Sequence, residues 1–364
     1  LGEIQGSLGD FGGSQRTLQD ALQTRTRLYG EANPQVLNTE RKLAQLAYAM
    51  GNHAEARRRA EHVLAIAARL GQPHAANAAR AQLVLALASA GDGEQAQALA
   101  LVDQAIDDLR RSLGASHPET TTAMYRRAEL LMQLRRDDEA IATLRDVITA
   151  IERQYGKDSA RLTQPLIALG SALRQAQHDP EADVIYARAV ALAQRHFPGR
   201  SPLLALSLSR YGALKMQRGQ LAQAQALLDR AERALPENAE KERVQLLFNR
   251  GQLELQLAKP DPAEADLRQA LALRRKISGD GNGVTWYYAS EWGRALAAQG
   301  KLAQAEQVQR DALAETLVQR KQPDAAVALL QRSLALTASK YPSTHLVYQE
   351  RQALLERARQ AAAR

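Results

Sequence analysis

A short phrase recurs along this chain, and its spacing restricts the fold more than any other feature. Residues 28–36 read LYGEANPQV, 112–119 read SLGASHPE and 154–162 read QYGKDSARL. The glycines of that phrase, Gly30, Gly71, Gly114 and Gly156, stand 41, 43 and 42 residues apart. Phe197-Pro198 takes the place of Tyr155-Gly156 after another 42, Leu235-Pro236 arrives early, and Gly279 restores the beat 43 residues later. A period in this range points to stacked helical repeats, each burying its apolar face only against its neighbours.

Each period has two halves. In 37–50, LNTERKLAQLAYAM, apolar residues recur at helical spacing. A polar break, GNH, follows, and 54–70 is a second amphipathic stretch. The break returns as Gly91-Asp92, Arg136-Asp137, His178-Asp179-Pro180, Gly219-Gln220, Lys259-Pro260 and Gly300-Lys301. Alanine, leucine, glutamine and arginine dominate, all good helix formers, and aromatics make up only 4%, which disfavours strands. The recurring phrase then reads as a joint. Tyr29-Gly30 ends a helix because glycine tolerates a left-handed cap, and Asn33-Pro34 opens the next with proline in its first turn. His117-Pro118 and Ser201-Pro202 repeat that opening, and FGGS at 11–14 reads as another inter-helix turn.

Small residues hold a register inside the repeats. Gly212, Gly219, Ala224, Leu228 and Ala231 share their spacing with Ala44, Gly51, Ala56, Ala60 and Val63, and Gly293, Gly300, Ala305 and Ala312 keep it too. Gly2, Gly9, Ser14, Leu18 and Ala21 follow the same pattern. Small side chains there let two antiparallel helices approach closely. This pattern resembles the tetratricopeptide repeat, in the ~42-residue kinesin-light-chain-like variety rather than the ~34-residue form, over nearly the whole chain. The resemblance implies an all-α, right-handed superhelical solenoid of antiparallel helix pairs. About seven to eight repeats are expected, at approximately 1–29, 30–70, 71–113, 114–155, 156–197, 198–235, 236–278 and 279–320. The third carries an expected insertion at 95–106, and 321–364 reads as atypical C-terminal capping helices. Near that end, 302–320, 323–340 and 342–361 read as three successive helices.

Several chemistries find no support. The absence of cysteine excludes disulfides, thiolate zinc sites and a cysteine nucleophile. No phosphate-binding glycine loop, HExxH or Ser-His-Asp set stands out, so no catalytic residue, metal or cofactor is expected. Asp280, Asn282 and Glu291 occupy the first, third and twelfth places of a calcium-loop pattern. Val284 and Thr285 fill its fifth and sixth, which argues against calcium. No run of ~18 apolar residues occurs. The +8 net charge is spread among interleaved acids, as in RRDDEA at 135–140, so no nucleic acid is expected. A partner, if charged, is expected to be acidic.

In the family resembled, first helices line a groove that binds an extended peptide or partner protein. The register places Asn38, Arg41, Gln45 and Tyr48 there, with Tyr125, Arg126, Glu129, Arg174 and Gln175. Ser209, Arg210, Met216, Phe248, Asn249, Gln252, Tyr287 and Arg294 follow. Arg41, Arg126, Arg174, Arg210 and Arg294 could form a ladder for an acidic or phosphorylated segment. Trp292 is expected in the core, and Trp286 and Tyr287 lean the same way. The lysine-asparagine clamp of cochaperones and the asparagine pairs of kinesin light chains are absent.

The opening LGEIQGSLGDFGGSQRTLQDAL resembles the repeat arrays of bacterial membrane-bound Ser/Thr protein kinases. That resemblance implies a non-catalytic, periplasmic sensor region, tethered to the inner membrane through an upstream transmembrane helix. Leu1 falls in the middle of a first-repeat helix, as expected of a piece of a longer protein. The alternative is a cytoplasmic adaptor, or the repeat module of a transcriptional regulator.

Overall fold

The computed structural model describes residues 10–70, 75–278, 285–319, 322–338 and 346–363. Among them the structure is all-α: 17 α-helices, one 3-10 turn at Ala160–Leu162, and no strand. The chain forms two compact units, Leu1–Leu192 and Ala193–Arg364. The first contains α1 (Phe11–Tyr29), α2 (Pro34–Ala49), α3 (His53–Leu70), α4 (Ala75–Gly91) and α5 (Gln95–Leu113). It continues with α6 (Pro118–Gln133), α7 (Asp137–Tyr155), α8 (Thr163–Gln175) and most of α9 (Asp179–His196). The second contains α10 (Pro202–Gln217), α11 (Leu221–Ala234), α12 (Glu240–Gln256) and α13 (Pro260–Ser278). It ends with α14 (Thr285–Ala298), α15 (Leu302–Gln319), α16 (Pro323–Ala338) and α17 (Leu346–Ala362). Within each unit every helix packs on the next.

The joints explain where helices stop and start. Asn33 accepts a hydrogen bond from Gln35 N at 2.9 Å, His117 from Glu119 N at 3.2 Å and Ser201 from Leu204 N at 3.4 Å, each with proline at the following position. These side chains satisfy amides that the first helical turn leaves open. At the other end Gly30, Gly114 and Gly156 have φ of 77°, 96° and 83°. Their ψ values of 161°, 158° and 162° differ from the left-handed helical cap expected from sequence. This is the mirror-extended region, open essentially to glycine alone.

Inside each repeat, three positions set the geometry. A small residue on the first helix faces the residue sixteen positions on, on the second helix. Where that second residue is Tyr186, Leu228, Leu267 or Gln309, the first is Gly170, Gly212, Gly251 or Gly293. Where it is Ala60, Val102 or Leu144, the first is Ala44, Ala86 or Ala128. The residue on the first helix is always glycine or alanine, so the second helix can approach closely, and the tightest fits, against Tyr186 and Leu267, leave no room for a Cβ. Seven residues after the small position, the turn has positive φ in every one of these repeats: Gly51, Gly93, Arg135, Gln177, Gly219, Ala258 and Gly300.

That register corrects two sequence readings. The turn glycine of the third repeat is Gly93 rather than Gly91, which belongs to α4, and α5 has the same 19 residues as α7. No insertion is needed. FGGS is not a turn: it forms the first turn of α1, capped by Asp10, whose Oδ1 accepts from Gly13 N at 2.8 Å. A Cβ at Gly13 would lie 2.0 Å from Asp10 Oδ2, so a larger residue there would displace the capping carboxylate.

Candidate binding surface

The first helices of consecutive repeats are tied side by side by polar contacts. Arg80 on α4 grips Glu119 on α6 with two hydrogen bonds, of 2.6 and 3.0 Å. Gln175 at the end of α8 donates to Met132 O on α6 at 3.1 Å. These contacts hold α4, α6 and α8 as a continuous face of the amino-terminal unit.

On that face lies a cavity of about 430 Å³. Its floor is aliphatic, with Leu83 and Leu87 from α4 and Leu130 from α6. Its rim is polar: Tyr48 from α2, Arg126 and Glu129 from α6, and Gln175 from α8. Arg126 Nη1 donates to Glu129 Oε2 at 2.7 Å, and the arginine side chain stays partly exposed. Tyr48 is held by stacking on His53, with ring centroids 5.6 Å apart. Arg126 also borders a second cavity of about 330 Å³, walled by Tyr125 and Tyr155.

Tyr48, Arg126, Glu129 and Gln175 are therefore brought together, and Tyr125 adjoins them. Asn38, Arg41 and Gln45 lie together on α2, where Arg41 donates to Asn38 at 2.7 Å and to Gln45 at 2.8 Å. Arg174 is half-buried on α8.

The carboxy-terminal unit treats its share of these residues differently. Ser209, Met216, Phe248 and Asn249 are buried and serve packing instead of presenting a surface. Asn249 Nδ2 donates to Ser209 O at 3.1 Å and Oγ at 2.9 Å, tying α12 to α10. Phe248 packs on Tyr288, with centroids 4.3 Å apart. Gln252 donates to the Tyr287 hydroxyl at 3.2 Å. Arg210 is half-buried, and exposed Arg294 pairs with Glu291 on its own helix at 2.9 Å. The aromatic assignments also shift. Tyr288 is the core residue at 6% exposure, whereas Trp286 and Tyr287 are exposed at 45% and 44%. Trp292 is partly buried against the core and donates to Glu264 at 3.0 Å.

One cluster escaped the sequence reading. Arg250 on α12 meets Asp266 at 3.0 Å and Glu232 at 3.2 Å. Glu254, four residues along α12 from Arg250, has a carboxyl oxygen, Oε2, buried without a hydrogen-bond donor among the described residues. Burial, then the negative charge of Asp266, pushes its carboxyl up to about 7, against the pull of Arg250 and Lys259. No single position signalled this, since the acids come from three different helices. The calcium-loop pattern at 280–291 lies partly outside the described residues. Its Glu291 is buried inside α14, and no group of three potential metal ligands occurs among the described residues. No described helix is long and apolar enough to cross a membrane.

Family profiles described as tetratricopeptide repeat match residues 1–69 and 119–195, 78–119, and 244–277. A comparison with curated proteins finds no match. Among solved structures, the apo form of RapI is similar at 13% identity and a TM-score of 0.59, over 76% of this chain and 96% of that one. Aspartyl phosphate phosphatase F from Bacillus subtilis is similar at 13% identity and a TM-score of 0.58, over 99% and 92%. BtubC (BKLC) from P. vanneervenii is similar at 20% identity and a TM-score of 0.54, over 62% and 89%. At these identities the likeness is one of fold.

Proposed function

Because the chain belongs to the tetratricopeptide repeat family, whose members are protein-interaction domains, we propose that it is a non-catalytic module that holds an extended peptide against its amino-terminal unit. The observation that carries this reading is the 430 Å³ cavity, to which α2, α4, α6 and α8 all contribute side chains. An apolar floor with a few converging polar groups is the usual form of a binding site. Here the floor would take an apolar side chain, while the rim of Tyr48, Arg126 and Gln175 would meet peptide amides and carbonyls. Phage selection of random dodecapeptides on the immobilised chain tests this. Leu87→Glu should abolish capture of the selected peptides while the helical circular dichroism is retained. Undiminished capture by a folded Leu87→Glu variant would remove the cavity from the site.

The finer assignment rests on the resemblance of residues 1–22 to kinase-linked arrays. In this reading the module is the periplasmic sensor of a bacterial membrane-bound Ser/Thr kinase, and its partner meets it outside the inner membrane. Sequencing the reading frame upstream of Leu1 decides it. A kinase domain followed by a transmembrane helix supports the sensor; a DNA-binding domain or a soluble adaptor region replaces it with the cytoplasmic reading.

A further inference from the structure

The second cavity differs from the first in its chemistry. It lies where α6, the end of α7 and the start of α8 converge, and encloses about 330 Å³. Val147, Ile151 and Pro165 make its base apolar. Two arginines border it, Arg126 and Arg161, and none of its lining residues is acidic. Arg161 is exposed and lies over the Tyr155 ring, 4.5 Å from the centroid. That contact positions the guanidinium without neutralising it, and no acid pairs with Arg161 among the described residues.

The other polar groups at the cavity are uncharged. Gln154 and Gln164 contribute amides and Tyr155 a hydroxyl, groups able to turn a donor toward an anion. Tyr125 is already engaged: burial, then the Glu129 charge, pushes its phenol up, and its hydroxyl hydrogen-bonds to Glu129. Thr121 and Thr122 already spend their protons on His117 O and Pro118 O, at 3.1 and 2.8 Å. Arg126 is already paired with Glu129 at 2.7 Å, which leaves Arg161 as the unpaired cation. An apolar base beside such a guanidinium, with no acid in its lining, is complementary to an anion attached to an apolar body.

We infer that this cavity is the acid-reading subsite of the peptide surface. It takes an apolar side chain whose neighbouring aspartate or glutamate is gripped by Arg161. The inference rests on the peptide-binding reading above and adds the partner's chemistry to it. Because Arg126 borders both cavities, an occupant spanning them carries its acid between two apolar residues. Tyr155 and Arg161 both belong to the recurring joint phrase at 154–162, so one joint acts as a contact surface as well as a connection.

The test uses the full chain and the dodecapeptide selection already described. The best binder is synthesised together with a twin in which each acid is replaced by its amide. Selected sequences should be enriched in Asp or Glu flanked by apolar residues. The amide twin should bind roughly tenfold more weakly to the unaltered chain, the scale of a lost charge-assisted contact. Against Arg161→Gln the acid and its twin should bind alike, because the charge they differ by has lost its partner. Arg161→Glu should reverse the preference. Binders with no acid, or an acid preference unchanged in Arg161→Gln, would overturn the subsite and leave the peptide groove standing. Recovery of no binder at all would overturn both.

Discussion

Gly170→Ala is the sharpest test of how these helix pairs are held. A Cβ at residue 170 would lie 2.8 Å from Cε1 of Tyr186 and 2.9 Å from Cδ1 and Cζ. Non-bonded carbons settle at about 3.5–4.0 Å, so the ring would have to retreat by more than half an ångström. Tyr186 is 0% exposed, and its hydroxyl lies 2.9 Å from Ser171 Oγ, so no free direction is open. Overpacking of this kind costs about 1–3 kcal/mol, and alanine's better helix propensity returns about 1 kcal/mol. The net expectation is a loss of up to about 2 kcal/mol. In a Tyr186→Ala background the same change recreates the Ala44–Ala60 pairing found in the second repeat, both members fully buried. There it should stabilise by about 1 kcal/mol, giving a coupling of about 1–3 kcal/mol between the two sites. Hydrogen exchange of peptides covering residues 163–196, followed in all four proteins, reads the local stability. If Gly170→Ala changes stability in the same direction in both backgrounds, the size-matching argument fails.

Other positions give independent checks. Ala258 occupies the turn with φ of 55°, so Ala258→Gly should stabilise by about 1 kcal/mol; a lower urea midpoint would contradict this. Asn249→Ala deprives buried Ser209 of its partner and should cost about 1–3 kcal/mol, read from tryptophan fluorescence, since Trp286 and Trp292, the only tryptophans, belong to the same unit. Glu254 has a folded-state carboxyl raised to about 7. Its contribution is therefore intact below about pH 4.5 and is lost as pH rises through 7. Glu254→Gln should flatten that decline and gain on the order of 1 kcal/mol at pH 8 once solvent screening is allowed for; an unchanged pH profile would exclude Glu254 as its source.

The repeat period was legible because most joints depend on glycine and proline, which few residues can replace. Gly30, Gly114 and Gly156 hold conformations that other residues avoid, and Pro34, Pro118 and Pro202 open helices where no N–H is needed. The within-repeat turns were less legible. Arg135, Gln177 and Ala258 take positive φ without being glycine, so composition does not mark them, and Gly91 drew attention that belonged to Gly93. Side-chain exposure was the least legible. Adjacent helical positions differ by about 100° in direction, so Trp286 faces solvent while Tyr288, two residues on, is buried. Phe248 and Asn249 sit on the expected helix, but the neighbours that cover them, Tyr288 and Ser209, come from other repeats some 40 residues away. Arg126 and Tyr48 were recoverable from register because long side chains at those positions reach the cavity rim.

The matched sizes at the helix contact also determine how such a chain can be rearranged by recombination. A crossover that moves a whole repeat carries both members of the pair, glycine with tyrosine or alanine with alanine. A crossover between the two helices separates them. Joining α2 to α9 would set Ala44 against Tyr186, and joining α8 to α3 would leave Gly170 facing Ala60 across an unfilled space. The heritable module is thus the complete helix pair, and a library of shuffled segments should yield folded chains when its junctions fall in the joints.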